Sequence, residues 1–174
     1  MSLLKRDSKS TQELYASLGQ PAQLLLRFGL GTAFLSACAS RFGLYGPPGT
    51  PGAGWGDFAH FTAYTRTLTW FLPEALTPFL AWTATAGEIL FGVLLLIGLR
   101  TREAALGSSA LLISFALGMT ASENGIHSAF SYSVFSAAGG ALLLATFRDP
   151  SWSLDAFLAA SDRGRSRVAD AQRS

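Results

Sequence analysis

Long apolar stretches alternate along the chain with short polar connections. Four stretches approach the roughly 20 residues that a helix needs to cross a bilayer core of about 30 Å. They lie at about 21–40, 78–99, 104–122 and 127–147. None alternates with a period of two, which disfavours a membrane barrel, and only helices satisfy their own backbone groups in hydrocarbon. The pattern predicts an all-α fold, an integral membrane four-helix bundle.

The remaining parts are an N-terminal segment, an outer loop and a C-terminal segment, at 1–20, 41–77 and 148–174. We expect a short interfacial helix in each terminal segment, one beginning at Ser10 and the other carrying Trp152 and Phe157 ahead of a polar tail. The outer loop starts with a Gly- and Pro-rich stretch and continues into an amphipathic helix at the bundle mouth. One stripe of this helix consists of Phe58, Phe61, Thr65, Leu68 and Leu72.

Charge is scarce and unevenly placed. The chain is 49% hydrophobic and 14% charged, whereas an average soluble domain carries about 25% charged residues. A net charge of +2 is too small to coat a nucleic-acid groove, so we expect no nucleic-acid partner. With four crossings, ten of the 13 Lys and Arg residues fall on one side. The positive-inside rule then predicts a multi-pass inner-membrane protein with both termini cytoplasmic, in contact with the lipid bilayer.

Two ionisable residues, Arg27 and Glu88, lie within the predicted spans, where each costs about 2.5–3.5 kcal/mol. Arg27 is about 9 Å, and Glu88 about 16 Å, from the inner end of its span. Because an extended Arg side chain covers most of this difference in depth, an Arg27–Glu88 pair across facing helices is predicted. The interpretation that we favour is structural: an ion pair that fixes helix register, or an Arg27 that snorkels while Glu88 is protonated. The functional alternative is a proton relay or a polar site for the head of a quinone-like ligand.

Further candidates lie on the outer side. The ligand-binding candidates there are Trp55, His60, Tyr64, His127 and Tyr132. The two histidines have Asp57, Tyr64, Glu123 and Tyr132 as neighbours with which they can gather at the bundle mouth. The histidine spacing has no metal motif, so no metal site is predicted. Cys38 is interpreted as a packing residue, and a single cysteine excludes an internal dithiol couple. No cofactor motif is evident. Small residues at Gly29, Ala33 and Ala37 predict close helix packing.

Two spans resemble the DoxX/DoxD family. Span one, LLLRFGLGTAFLSACASRFG, places Arg41 fourteen positions after Arg27. Span two, GEILFGVLLLIGLRTREAAL, carries Glu88 in a Gly- and Leu-rich helix ending in Gly-Leu-x-Thr-Arg. Trp55–Pro73 and the segment SYSVFSAAGGALLLA also fit, so the resemblance covers about 21–147. Cys38 stands where many members have Gly, and Arg41 where Lys is more usual.

The resemblance implies a four-helix inner-membrane protein with redox- or quinone-linked work, because DoxD-type members resemble the small membrane subunit of thiosulfate:quinone oxidoreductase. We therefore expect a quinone- or redox-associated membrane subunit that works with a soluble or membrane redox partner; a subunit of an oxidoreductase is one interpretation. Arg27 and Glu88 are its candidate catalytic residues. The alternative is a non-enzymatic membrane assembly protein or a small-solute carrier.

Overall fold

The computed structural model describes residues 2–123, 125–147 and 152–161, with side chains from residue 17 onward. Within these residues all regular structure is helical, which confirms the all-α class. The helices are α1 Ser2–Arg41, α2 Phe58–Leu68, a 3-10 turn Glu74–Leu76, α3 Thr77–Ile97, α4 Thr101–Ala121, α5 Gly125–Ser131 and α6 Val134–Leu144. A further helix, α7, covers 154–161.

Three helical segments in the described part of the chain are long and apolar enough to cross a membrane: Ser17–Arg41, Glu74–Ile97 and Thr101–Ala121. They correspond to the first three predicted spans. The prediction of a continuous fourth span is wrong, because α5 and α6 are separated at Tyr132 and Ser133. Ser133 has a φ of 53°, and its N–H donates to Phe130 O in a tight turn. The left-handed backbone at Ser133 cannot continue a right-handed helix, so a new helix starts at Val134.

The bundle has two distinct ends. The loop end carries residues 42–76, which connect α1 to α3, and the turn end carries residues 98–100, which connect α3 to α4. α5 follows α4 at the loop end, whereas the Asp155 side chain contacts Arg100 and Thr101 at the turn end. The α5–α6 pair therefore returns the chain across the bundle in two pieces.

The terminal segments differ in part from expectation. The prediction of a separate interfacial helix that ends before the first span is wrong, because α1 continues through Pro21. Proline removes one helical hydrogen bond, and the good helix formers that follow Pro21, from Ala22 to Leu26, continue the helix. A short helix after the bundle is confirmed as α7. Residues 148–151 and the tail 162–174 lie outside the described residues.

Close packing relies on small residues. α1 packs chiefly on α3, where Gly31 and Gly92 face each other and leave no room for a Cβ. α4 packs chiefly on α6 through alanines, and Ser109 Oγ donates to Ala138 O at 3.0 Å. The prediction that Gly29 lies at a helix contact is wrong, because a Cβ added at Gly29 would meet nothing within 4 Å. The contact face is turned toward Gly31.

Arg27 organises the turn end. It is 1% exposed, and its guanidinium donates to three backbone carbonyls: Nε to Leu95 O at 3.0 Å, Nη2 to Leu96 O at 3.3 Å and Nη1 to Trp152 O at 3.1 Å. The predicted Arg27–Glu88 pair is therefore wrong. The last carbonyls of a helix lack intrahelical partners and carry partial negative charge, so the end of α3 satisfies the cation instead.

Asp155 completes this end. Its carboxylate accepts hydrogen bonds from Arg100 N at 2.8 Å and Thr101 N at 2.9 Å, and so caps the start of α4. Its own N–H donates to Gly98 O at 3.0 Å. Gly98 has a φ of 69°, and a Cβ there would overlap the Arg27 guanidinium. Glycine is thus required at this C-cap for two independent reasons.

We predict that Gly98→Ala lowers the free energy of unfolding by about 2 kcal/mol, since alanine meets both a left-handed backbone and the Arg27 side chain. Denaturant unfolding in detergent micelles measures this. Gly29→Ala is the matched control and should be neutral or slightly stabilising, because it adds a methyl group to an open helix face. Equal losses in the two variants would contradict the prediction.

Candidate functional site

Glu88 pairs with Arg41. Arg41 is the last residue of α1, and its Nη2 lies 2.8 Å from Glu88 Oε1 in the middle of α3. The two side chains are 4% and 2% exposed. An isolated charge at this depth is costly, and a hydrogen-bonded opposite charge offsets much of that cost. The ion pair therefore fixes the height of α1 against α3.

Two neighbours complete the polar cluster. Arg41 Nη1 donates to Thr85 Oγ1 at 2.9 Å, and Thr85 Oγ1 donates to Ala81 O one turn earlier. Cys38 Sγ lies 3.6 Å from Glu88 Oε2 and 3.7 Å from Thr85 O. Cys38 is buried, which agrees with its interpretation as a packing residue in the first span. We define Cys38, Arg41, Thr85 and Glu88 as the polar cluster.

α2 lies against this cluster. The Arg41 guanidinium carbon lies 3.6 Å from the centroid of the Phe61 ring, a cation–π contact. Phe61 and Thr65 are the buried residues of α2, which confirms these two positions of the predicted stripe; Phe58 and Leu68 are half-buried, and Leu72 lies beyond the end of the helix. Phe58 stacks on Trp82 of α3, with ring centroids 4.2 Å apart. The loop helix is thus docked on the bundle rather than free at its surface.

The Gly- and Pro-rich loop positions Trp55. Ser40 Oγ, at the end of α1, donates to Ala53 O at 2.6 Å and accepts from Trp55 N at 2.8 Å. Gly56 has a φ of 74° and lies where a Cβ would overlap Pro48. Trp55 then contacts Tyr64 and Phe61, with ring centroids 4.8 Å and 5.5 Å apart.

A cavity of about 310 Å³ lies below α2, between α3 and α4 at the loop end. α2 and the turn after it form its roof. Its walls are formed by Leu80, Thr83 and Ala84 of α3 and by Leu111, Ser114, Phe115, Gly118 and Met119 of α4. Arg41 is the charged residue in this otherwise largely apolar lining. A pocket with apolar walls and a few fixed polar groups is typical of small-molecule sites.

Arg41 retains donor capacity. Its Nε is buried and has no hydrogen-bond partner in the described part of the chain. Because burying an unpaired donor costs about 1–3 kcal/mol, an acceptor that enters the cavity gains by pairing with it. The arrangement suits a ligand with an apolar body and a carbonyl or carboxylate oxygen.

The predicted ligand-binding residues divide into two groups. Trp55 and Tyr64 line the cavity. His60, His127 and Tyr132 are exposed: the His60 ring lies 2.8 Å from Asp57 Oδ1, and His127 lies 3.4 Å from Ser131. Of the five candidates, the cavity lining therefore includes Trp55 and Tyr64 but not His60, His127 or Tyr132. Within the described residues, no group of three or more His, Cys, Asp or Glu side chains could hold a metal ion.

Tyr64 contributes a second donor near the cavity. Burial raises the pKa of Tyr64; the nearby Ser128 hydroxyl lowers it, and Tyr132 adds to the rise. The hydroxyl therefore stays protonated and able to donate across the physiological range.

Arg41 is the site residue that sequence reasoning missed. The span boundaries assign Arg41 to the outer loop, so the comparison of membrane depths pairs Glu88 with Arg27 alone. A signal was available: Glu88 lies eleven residues after Thr77, near the middle of its span, so a long side chain from either end of the first predicted span can reach it.

Fold and site together define a polytopic helical membrane protein with a buried ion pair beneath a loop helix. Residues 19–123 match the family model described as methylamine utilisation protein MauE. The match covers more than half of the chain, so the protein belongs to the MauE family. It includes α3, α4 and every residue that lines the cavity. No curated protein and no solved structure matches the chain significantly.

The MauE match corrects the resemblance to DoxX/DoxD, which is wrong. The quoted segments are rich in Gly, Leu and Ala and contain few charges. A bilayer imposes this composition on unrelated membrane helices, because they need apolar surfaces and small residues at contacts. Such segments therefore distinguish membrane families poorly.

We predict energetic coupling between Arg41 and Glu88. Glu88→Gln alone leaves a buried cation and should lower the free energy of unfolding by about 3 kcal/mol. The Arg41→Gln/Glu88→Gln double variant should lose at least about 1 kcal/mol less than the sum of the two single losses. The measurement is denaturant unfolding in micelles.

The matched control is the cycle of Arg27→Gln with Glu88→Gln, which should be additive within about 0.5 kcal/mol because Arg27 binds carbonyls at the end of α3, whereas Glu88 binds Arg41 near the middle of α3. Coupling of Glu88 to Arg27 rather than to Arg41 would overturn the assignment.

We also predict that acid loosens α2. The backbone N–H of His60, and next its ring, hold the pKa of Asp57 below its ordinary 3.8. A lowered folded-state pKa means that the Asp57 cap stabilises α2 fully above pH 3.8, and that this stabilisation is lost as the pH falls through the folded-state value. Trp55 emission, followed from about pH 5 to about pH 2, should report the change.

Asp57→Asn serves as the control, since asparagine caps helices equally well and does not titrate. Its acid-induced change in Trp55 emission should be smaller. An identical acid response in both proteins would exclude Asp57 as the cause.

Proposed function

We propose that this chain is a membrane component of a redox system used in methylamine utilisation, and that its loop-end cavity binds a quinone. The process is taken from the description of the matched family. The quinone is our inference from the cavity. The observation that carries it is the Arg41 guanidinium, which lines an apolar cavity and keeps an unpaired buried Nε–H.

A quinone fits this donor arrangement. Its ring is flat and apolar, and its carbonyl oxygens accept hydrogen bonds without needing a full negative charge. Arg41 is fixed by Glu88, Thr85 and Phe61, so little side-chain freedom is lost when a ligand binds. Because Glu88 already neutralises Arg41, a neutral acceptor is favoured over a carboxylate.

In this proposal a separate redox protein exchanges electrons with the bound quinone. The single cysteine provides no internal dithiol couple. Arg41 positions the quinone head, and Trp55 and Tyr64 of the aromatic roof cover it.

We propose further that the protein lies in an inner membrane with its turn end and both termini in the cytoplasm. Ten of the 13 Lys and Arg residues precede the first span, lie at or beside the turn, or follow α6, whereas Arg41 and Arg66 belong to the loop end. This asymmetry follows the positive-inside rule. The cavity and α2 would then lie toward the outer face.

The test is titration of the protein in lipid nanodiscs with a short-tailed benzoquinone, followed by quenching of Trp55 emission. We expect saturable binding that Ala84→Leu weakens by about tenfold or more, because the larger side chain fills the cavity. Trp55→Phe identifies the share of the signal that comes from this residue.

Ala86→Leu is the matched control, because Ala86 lies on the same helix, is exposed and does not line the cavity. It should retain wild-type affinity. Absence of saturable binding in the wild type, or equal affinities in the two leucine variants, would overturn the quinone proposal. Preferential binding of a matched fatty acid would replace the quinone by a carboxylate ligand.

A further inference from the structure

α3 and α4 contact closely toward the turn end. Gly107 of α4 faces the ring of Phe91 of α3, and a Cβ added at Gly107 would overlap that ring. One turn further along, Leu111 lies at van der Waals distance from the Cβ position of Gly87. These two contacts close the interface between α3 and α4 toward the turn end.

Toward the loop end the cavity lies between the same two helices. Thr83 of α3 and Ser114 of α4 line the cavity, and both are also exposed on the helix surface. A residue with both properties lies at the edge of an opening. The cavity therefore reaches the side of the bundle between Thr83 and Ser114.

This opening lies at membrane depth. Thr83 is six residues from the start of α3, or about 9 Å, and Ser114 is seven residues from the end of α4, or about 10 Å. Both belong to segments long and apolar enough to span. The opening therefore faces the hydrocarbon of the leaflet at the loop end.

The direct path from water is covered by α2. Phe61 and Thr65 of α2 are buried against the bundle, while His60 and Thr67 face outward. Trp55 and Tyr64 pack side by side in the roof. A ligand from the aqueous side would have to displace this roof.

The two hydroxyls at the opening suit passage of a polar head. Thr83 Oγ1 donates to Phe79 O at 2.8 Å and Ser114 Oγ donates to Leu111 O at 2.6 Å, so both protons are satisfied within their own helices. Their oxygens keep lone pairs that can accept a hydrogen bond from the hydroxyl groups of a reduced quinone, whereas an oxidised quinone has only acceptors. They offer small polar contacts without a charge that lipid would penalise.

We infer that the cavity is loaded sideways from the bilayer, through the opening between Thr83 and Ser114. This inference rests on the proposed function and narrows its ligand class to membrane-dissolved molecules with a polar head on an apolar tail. A quinone with a tail belongs to this class, and a tailless water-soluble one does not.

The test is stopped-flow quenching of Trp55 emission by a tailed benzoquinone, with the full chain in lipid vesicles. Thr83→Phe and Ser114→Phe should each slow association about tenfold or more, and slow dissociation to a similar degree, because a plug at an entrance affects both directions. Adding lipid at constant total quinone should slow association by wild type, since the concentration in the bilayer falls.

Thr67→Phe is the control, because Thr67 lies on the exposed face of α2 and does not line the cavity. It should leave both rates unchanged. Binding to wild type at rates that neither the two plugging variants nor added lipid alters would refute lateral entry and leave the proposed function standing. Failure of wild type to bind any quinone at equilibrium would instead refute the proposed function.

Discussion

The ion pair between Arg41 and Glu88 is the constraint on which the loop end of the bundle depends. Glu88 lies in the middle of α3 and cannot reach water without leaving the helix packing. Its cation comes from the last residue of α1, so α1 must end beside the middle of α3. The connecting loop then starts below the loop end of α3 and folds back over Arg41, where Phe61 covers the guanidinium.

The two ends of the molecule are stabilised by different kinds of interaction. At the loop end, side chains meet side chains: a charge pair, a ring above it and an aromatic cluster around Trp55. At the turn end, side chains form hydrogen bonds with the backbone: Arg27 binds the last carbonyls of α3, and Asp155 binds the first amides of α4. The first arrangement leaves a cavity, whereas in the second the Arg27 and Ser153 side chains lie close against Gly98.

Sequence reasoning predicted what the bilayer and helical periodicity dictate. Span lengths identified α1, α3 and α4, and the stripe with Phe61 and Thr65 identified the buried face of α2. It failed where a choice of partner depends on three-dimensional position. Arg27 has backbone partners that leave no sequence pattern, and Gly31 rather than Gly29 faces α3 because a small rotation of α1 decides which residue makes contact.

The candidate site was predicted in part for the same reason. Glu88, Trp55 and Tyr64 were singled out because charges in spans and aromatic residues in long loops are uncommon. The break at Ser133 and the role of Arg41 depend on local backbone geometry and helix register, which composition does not encode. The family assignment failed because Gly- and Leu-rich spans are shared widely among membrane proteins.

The cap on α4 has a consequence for how the protein is made. Asp155 lies 54 residues after Thr101, the residue whose amide it binds. During synthesis the start of α4 is inserted well before its capping carboxylate leaves the ribosome. The α3–α4 hairpin therefore waits with open amide groups and an incompletely satisfied Arg27 until the C-terminal segment arrives. Synthesis of the segment that carries Asp155, rather than insertion of α6, therefore completes the hydrogen bonds of the turn end.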